Sequence, residues 1–488
     1  MKFDNKKVPN WINGKSATAN NEGWLNKVNP HNGELLWVYS SSDEFDVQHA
    51  INAADNALPS WSRVPPVQRG QVLSEIVRLM KLYRAQLAKC VAVETGKPPS
   101  DAIGEVNGAI LQGEYWAGEG MRLHGRSLTS GIRGKSSYTI REPIGVAGLI
   151  VPANTPMANI AWKVFPALIC GNTVVLKSSE DAPNLAHVFA QITKEAGLAD
   201  GVFNVINGVG SVAGSALVKS KKVAIISFTG SSEVGRWIAE VAGSRLAKVS
   251  LELGGKNPFV VCDDSDLDHA VHWAALSAFS NAGQRCSSGS RIFVFDNVYE
   301  EFKSRLINKA NSLELGVDEN CDVGPVISKR QHLRILKAID ASKEAGGSVL
   351  CGGGVPKAAK LKDGFYIQPT LVENVPRDSA LYTEEVFGPV ATIHKVSDIC
   401  EAIEFANDSE YGLTASVHTC NIDRAMWFAQ HVKTGVANVN LGTFGSEPHM
   451  PFGGTGASGN GTREPGAEAV DVYSELKIIS ILTRDMPT

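Results

Sequence analysis

The sequence predicts an α/β protein with two doubly wound parallel sheets in series and a small extra β element. Three observations predict it. From Gly145, short apolar segments alternate with helical ones, the pattern of a parallel sheet covered on both faces. The same alternation resumes from Pro258 to about Asn440. Two polar, β-like pieces, residues 125–141 and 471–482, belong to neither run. A chain of 488 residues is also too long for one ordinary core, so two or three domains are expected.

In chain order, residues 1 to about 40 are polar and rich in Asn and Gly, with Trp11, Trp24 and Trp37 as docking anchors. Residues 43–61 and 66–91 carry helical apolar spacing, and a third helical stretch covers 97–123. The first alternating region predicts strands at 145–151, 173–177, 202–206, 224–229 and 248–252, with helices at 156–170, 183–196, 210–219 and 232–242. Strands of the second region fall at 258–261, 291–295, 390–394, 415–418 and 435–439. Two α/β layers in series imply a cleft between them, a common place for ligands. Residues 136–140 and 478–481 are expected to pair as an additional sheet, of a kind that often serves subunit contact.

Composition narrows the partners. Net charge is −4 and the pI about 6.3, with no polybasic run, so neither nucleic acid nor an anionic membrane is indicated. The segment Met1–Lys7 lacks the apolar stretch of a signal peptide, and no window of about 18 apolar residues predicts a spanning helix. Eight Cys are scattered with no C-x-x-C pair, which argues against a zinc ribbon or redox dithiol and for reduced thiols in a cytoplasm. Most read as small core residues, and Cys286 is the exception. His269 and His272 share a helical face, but a half-exposed helix surface accounts for them, and no metal is predicted.

Cys286 sits in Asn281-Ala282-Gly283-Gln284-Arg285-Cys286-Ser287, and Glu252 in Leu251-Glu252-Leu253-Gly254-Gly255-Lys256, 34 residues upstream (286 − 252). A thiolate is a strong nucleophile near neutral pH, and a carboxylate can activate the water that frees the product. Together they predict a covalent mechanism through a thioester. Asn154, at a strand end between Pro152 and Pro156, is rigidly presented. Its amide could hold an oxyanion with the backbone N–H of Cys286, or it could be a turn Asn.

Phe228-Thr229-Gly230-Ser231-Ser232-Glu233-Val234-Gly235 runs from strand into helix. Gly230 allows close backbone approach, and the following amides suit a pyrophosphate. The spacing G-x-x-x-x-G departs from G-x-G-x-x-G, and a plain strand–helix turn explains it equally. Lys177 and Glu180 follow another strand of the same sheet, where ligands sit in doubly wound folds. They could bind an adenosine ribose or form a solvated pair. An acid there repels a 2′-phosphate, which favours NAD over NADP. Glu385, before Phe387-Gly388-Pro389, could hold a nicotinamide ribose with Phe387 against the ring, or be only a loop acid before a strand.

In order and spacing, these segments resemble the NAD(P)-dependent aldehyde dehydrogenase superfamily over essentially the whole chain. The resemblance rests on residues 152–156, 177–180, 228–231, 252–256, 283–286, 385–389 and 451–454. It implies three parts: a Rossmann-like nucleotide-binding domain (1–122 and 144–254), a catalytic domain (255–470) and an oligomerisation element (123–143 and 471–488). It also implies roles. Cys286 attacks the aldehyde, Asn154 and the Cys286 amide hold the oxyanion, hydride passes to the nicotinamide, and Glu252 activates water. Lys163 matches a lysine usual near such active sites. The cofactor contacts carried over are Lys177, Glu180, Gly230, Ser231, Gly235, Leu253, Gln331, Glu385 and Phe387. A homodimer or homotetramer is implied.

The chain departs from the pattern in places. Ala153 and Thr155 stand where aromatics often flank the loop Asn, which implies a wider or more polar tunnel. Thr455-Gly456 replace a Lys often found after the Pro-Phe-Gly-Gly run. Arg285 could bind a substrate carboxylate or pair with a structural acid. The 456–464 tail is similar to semialdehyde-oxidising members, so succinate or 2-oxoglutarate semialdehyde is a candidate substrate. A neutral aliphatic or aromatic aldehyde, or an ester cleaved by a cofactor-independent cysteine hydrolase, is the alternative. Glu252 favours release of free acid over acyl transfer to CoA.

Overall fold

The computed structural model describes residue 3 and residues 6–484. The outermost positions of the first and last expected segments (1–2, 4–5 and 485–488) lie outside the described residues.

The first alternating region forms a seven-stranded sheet. Its order is Lys248–Glu252, Val223–Thr229, Val146–Ile150, Thr173–Lys177, Phe203–Ile206, Asn10–Ile12 and Lys15–Ala17. The first five strands are parallel. Chain order runs outward from Val146–Ile150 in one direction through Thr173–Lys177 and Phe203–Ile206. It then returns to the other side for Val223–Thr229 and Lys248–Glu252. This reversal opens a crevice beyond the carboxyl ends of Val146–Ile150 and Val223–Thr229. The last two strands come from the N-terminal segment and run antiparallel. Asn10 pins them, its Oδ1 accepting from the Asn207 amide at 2.9 Å and the Ser42 hydroxyl at 3.0 Å. Trp11 and Trp37 are buried and Trp24 is half-buried, so the polar first forty residues dock through their tryptophans.

The second region is also seven-stranded, in the order Ser348–Cys351, Thr370–Glu373, Val390–Val396, Gly289–Phe295, Asn257–Val261, Thr414–His418 and Val436–Val439. All neighbours are parallel except the edge strand Ser348–Cys351. The strands at 348–351 and 370–373 are absent from the sequence reading. They are four residues each, too short to show alternation. The polar pieces pair as expected: Ser474–Leu482 runs antiparallel to Lys135–Pro143, with Ile481 opposite Ser136 and Ile478 opposite Thr139.

The helices differ in detail. Residues 66–91 divide at Tyr83 into Pro66–Leu82 and Arg84–Thr95. The 97–123 stretch begins only at Pro99, because Pro98 and Pro99 hold the preceding backbone extended. Residues 210–214 open as a wide π turn before Ser215–Lys219. No helix of the described residues is long and apolar enough to cross a membrane. No group of three His, Cys, Asp or Glu side chains among them is placed to hold a metal, and His269 turns its ring to the Asn440 carbonyl.

Helix Pro156–Ile169 is buried almost all round and aims its N-terminus at the crevice. Phe165 anchors it, packing edge-on against Phe189 at 6.0 Å and filling the space that a side chain at Gly113 would need. Phe165→Ala should therefore lower stability by roughly 3–5 kcal/mol, read as a lower urea midpoint. An unchanged midpoint would mean that the core closes over the gap.

Candidate active site

Loops beyond the carboxyl ends of the first sheet meet loops that lead into strands Gly289–Phe295 and Val390–Val396 of the second, around a cavity of about 390 Å³. Asn154, Glu252 and Cys286 line it together. So do Gly230, Ser231, Leu253, Gln331, Glu385 and Phe387. Lys163, Lys177, Glu180 and Gly235 do not.

Cys286 is delivered by a tightly wound loop. After helix Leu267–Phe279 the backbone passes through three left-handed residues, Asn281 (φ 53°), Ala282 (φ 53°) and Gly283 (φ 65°). A Cβ at Gly283 would lie 2.0 Å from the Gly388 carbonyl, so only glycine lets this loop meet the Phe387–Gly388 turn. Side chains then hold the loop. Asn257 Nδ2 donates to the Cys286 and Ser288 carbonyls at 2.8 Å each, and Thr443 donates to the Ser287 carbonyl at 2.6 Å. Burial pushes the Cys286 thiol up to about 12, and the charges of Glu385 and Glu252 add to this. Backbone amides of Ser287 and Cys286 pull the other way. The resting sulfur therefore carries its proton near neutral pH.

Asn154 follows strand Val146–Ile150. Its Nδ2 donates to the Gln284 carbonyl at 2.9 Å, tying it to the cysteine loop and leaving one N–H free. Its Oδ1 is buried without a partner. Its backbone carbonyl accepts from Lys97 Nζ at 2.8 Å and Asn281 Nδ2 at 3.2 Å.

Glu252 ends strand Lys248–Glu252, and both of its carboxylate oxygens are buried with no hydrogen-bond partner. Burial raises its pKa well above the carboxylate range, and Glu464 adds to the shift. Lys163 and Arg463 oppose it. An orphaned carboxyl with a raised pKa beside the thiol is poised to accept a proton from a group that enters the cavity.

Glu385 meets the same turn. Its Oε1 accepts from the Gly255 amide at 3.2 Å, and a Cβ at Gly254 would lie 2.3 Å from its Oε2. Burial holds Glu385 up at about 7. Gln331 Nε2 donates to the Val386 and Phe387 carbonyls at 2.8 and 2.9 Å, fixing Phe387 at φ 57°. Ser231 caps helix Ser232–Gly243. A Cβ at Gly235 would lie 2.5 Å from the Leu253 side chain, so Gly235 acts by letting the helix pack against a cavity residue.

The sequence profile of the Aldehyde dehydrogenase family spans residues 17–479 of this chain. The chain belongs to the aldehyde dehydrogenase family. Two semialdehyde-oxidising relatives are each 37% identical to it. Over 97% of both chains it matches an alpha-ketoglutaric semialdehyde dehydrogenase of Bacillus subtilis (strain 168). An alpha-ketoglutarate semialdehyde dehydrogenase of Haloferax volcanii aligns over 96% of this chain and 98% of its own. The betaine aldehyde dehydrogenase of Staphylococcus aureus, solved in complex with NAD+, superposes with a TM-score of 0.96 at 33% identity, covering 98% of this chain and 95% of that one.

Within this aldehyde dehydrogenase the remaining expected residues lie around the cavity. Lys163 points away from it, into a buried ion pair with Glu464 at 2.7 Å, and also donates to Ser227 at 2.7 Å. Ser227, Ser250 and Tyr473 hydroxyls all donate to Glu464. Lys177 ends strand Thr173–Lys177, and Glu180 follows three residues later. The Lys177 ammonium is nearly buried, burial lowers its pKa to about 8, and Glu180 accepts from the Gly210 amide at 2.9 Å. Arg285 donates to the Ser280 hydroxyl and lies 4.5 Å over the Phe444 ring. No carboxylate among the described residues forms an ion pair with it.

Sequence reasoning missed three residues here: Lys97, Glu105 and Lys256. Lys97 and Glu105 are a buried ion pair at 2.5 Å. Their spacing of eight (105 − 97) across a helix start carries no pattern that could have marked them. Lys256 is fully buried, and burial lowers its pKa to about 7. It stands inside a quoted motif, which was the available signal.

Because Glu385 charge raises the Cys286 pKa, Glu385→Gln should shift the alkaline midpoint of iodoacetamide labelling of Cys286 to lower pH. An unmoved or higher midpoint would contradict this electrostatic account.

Proposed function

We propose that this protein oxidises a carboxylated semialdehyde to the free dicarboxylic acid with NAD+. The observation that carries the substrate class is Arg285, a guanidinium on the cavity wall that forms no ion pair among the described residues, although the Asp101 and Glu105 carboxylates lie near enough to act on its charge. The two relatives named for a semialdehyde support the same class.

The residues present fit the dinucleotide. Gly230 lines the cavity, its missing Cβ making room for the Phe228 ring, Glu385 offers a carboxyl held by a single amide, and Lys177 offers an ammonium near Glu180 and Asp181 with no hydrogen bond or ion pair among the described residues. Glu180 at the ribose end disfavours a 2′-phosphate, and so favours NAD over NADP. When bound, NAD+ accepts the hydride released from the substrate carbon.

Cys286 Sγ loses its proton to water in the cavity and bonds to the aldehyde carbon, as the carbonyl π pair moves onto the oxygen. The free N–H of Asn154 and the Cys286 amide hold the resulting oxyanion. That oxygen collapses to a carbonyl as the hydride leaves, giving a thioester on Cys286. Glu252 takes a proton from water, the hydroxide adds to the thioester carbon, and the acid leaves as Sγ is freed. Both Glu252 oxygens are unpaired and so open to that water. This supports hydrolysis over acyl transfer to CoA and over ester cleavage without cofactor. Lys163 acts indirectly, moderating the charge at Glu252.

The aromatic wall of Trp162 and Phe452, 5.4 Å apart, with Phe444, favours a second reading in which the substrate is a neutral aldehyde. The division into nucleotide-binding, catalytic and oligomerisation segments is supported by the two seven-stranded sheets and the separate sheet that pairs Lys135–Pro143 with Ser474–Leu482. A homodimer or homotetramer is supported by the exposed apolar side chains of Leu476, Ile478 and Leu482 on the edge strand. Eight free thiols support a reducing cytoplasm.

Arg285→Met should cut kcat/KM for succinate or 2-oxoglutarate semialdehyde roughly 10- to 150-fold, the equivalent of about 1.5–3 kcal/mol for a hydrogen bond to a charged group. Activity on a neutral aldehyde of similar length should hold. An equal loss on both substrates would return Arg285 to a structural role. Glu252→Gln should leave a first burst of NADH and stall later turnovers. In the unaltered enzyme, deacylation should speed up as pH rises through the raised Glu252 pKa, and this dependence should vanish in the variant. Normal steady-state turnover in Glu252→Gln would remove it as the base.

A further inference from the structure

Helix Pro156–Ile169 starts with two deficits. Pro156 has no N–H to offer, and Thr155, at the capping position, accepts no backbone amide with its side chain, whose hydroxyl takes the Asn159 side-chain amide at 2.9 Å instead. The orphan amides that follow are satisfied from a different helix. Glu105, in helix Pro99–Glu119, accepts from the Met157 amide at 2.7 Å and the Ala158 amide at 3.4 Å through Oε1. Its Oε2 accepts from Lys97 Nζ at 2.5 Å. The same ammonium donates to the backbone carbonyl of Asn154 at 2.8 Å. Lys97 and Glu105 side chains are about 95% buried (5% and 4% exposed), and neither lines the cavity.

One ion pair thus ties both ends of the turn that bears Asn154: the carbonyl of Asn154 itself and the amides just beyond Pro156. Asn154 has few other restraints. Its side chain makes one hydrogen bond to the Gln284 carbonyl, and its Oδ1 makes none. A buried ion pair is a weak source of net stability, because desolvation offsets most of its attraction. Its directional effect is large, since the two charges bind backbone groups on either side of Thr155 and Pro156.

We propose that Lys97 and Glu105 are positioning residues that aim the free Asn154 N–H at the oxyanion. This inference rests on the oxyanion role given to Asn154 above. Neither residue touches substrate, and both act through Asn154.

The test is a double-mutant cycle in the full-length enzyme, with Lys97→Met and Asn154→Ala made singly and together. Removing a whole oxyanion donor costs roughly 10²–10³ in kcat, so misaiming one should cost about 10- to 100-fold. NAD+ affinity, read by protein fluorescence, should stay within about 3-fold, and Lys97→Arg should recover most of the rate. In the Asn154→Ala background, Lys97→Met should cost less than about 3-fold more, because the group it positions is already gone. The same factor lost in both backgrounds would overturn the inference while leaving the Asn154 role intact. Full activity in Asn154→Ala alone would remove both. If Lys97→Met fails to fold, the cycle is run with Glu105→Gln, which keeps an acceptor for the Met157 amide and removes the negative charge facing Lys97. The same non-additivity is expected there.

Discussion

The structure depends on the burial of three acidic groups around one cavity. Cys286, Glu252 and Glu385 all face it, and burial is the largest cause of each upward shift. Each also raises the cost of charging its neighbours, so the three do not ionise together in the resting state. A neutral thiol and a neutral carboxyl side by side form a quiet site. The order in which they charge is set by whatever positive charge and hydrogen bonding enter the cavity with the reactants.

The surroundings are arranged to enclose that cavity without leaving backbone groups stranded. Charges close to it are paired behind the wall: Lys163 with Glu464, and Lys97 with Glu105. Polar side chains such as Asn257, Thr443 and Gln331 spend their donors on loop carbonyls. Left-handed residues at Asn281, Ala282, Gly283 and Phe387 let two loops approach at van der Waals distance. Such conformations persist only where surrounding contacts over-determine them, and here both loops carry site residues. Arg285 and Arg334 line the cavity without an ion pair among the described residues. Arg285 is held by a hydroxyl and an aromatic face, with Asp101 and Glu105 acting on its charge from further off.

Much of the fold was legible along the chain. Thr173–Lys177 and Lys248–Glu252 fell at their expected bounds, since apolar runs closed by Gly, Pro or charge mark buried strands well. The ladder between Ser474–Leu482 and Lys135–Pro143 was also foreseeable, because both pieces alternate and neither fits elsewhere. Strands Ser348–Cys351 and Thr370–Glu373 were not, because four residues at a sheet end carry too little periodicity. The split of residues 66–91 at Tyr83 has no breaker residue to announce it.

The sequence by itself singled out the groups proposed to do the chemistry. Cys286, Glu252 and Asn154 each sit in a short run with Gly or Pro whose local backbone is set by neighbouring residues, so motif and loop coincide. Tertiary structure decided which expected residues share the cavity and which stand behind it. Lys163 turned toward Glu464, Gly235 proved to be a packing position under Leu253, and Lys97 with Glu105 joined the Asn154 turn from a separate helix. These outcomes depend on side-chain direction and on contacts between segments 50 to 300 residues apart, as with Asn154 and Lys97 or Lys163 and Glu464. Local pattern carries no record of such distances; only packing sets them.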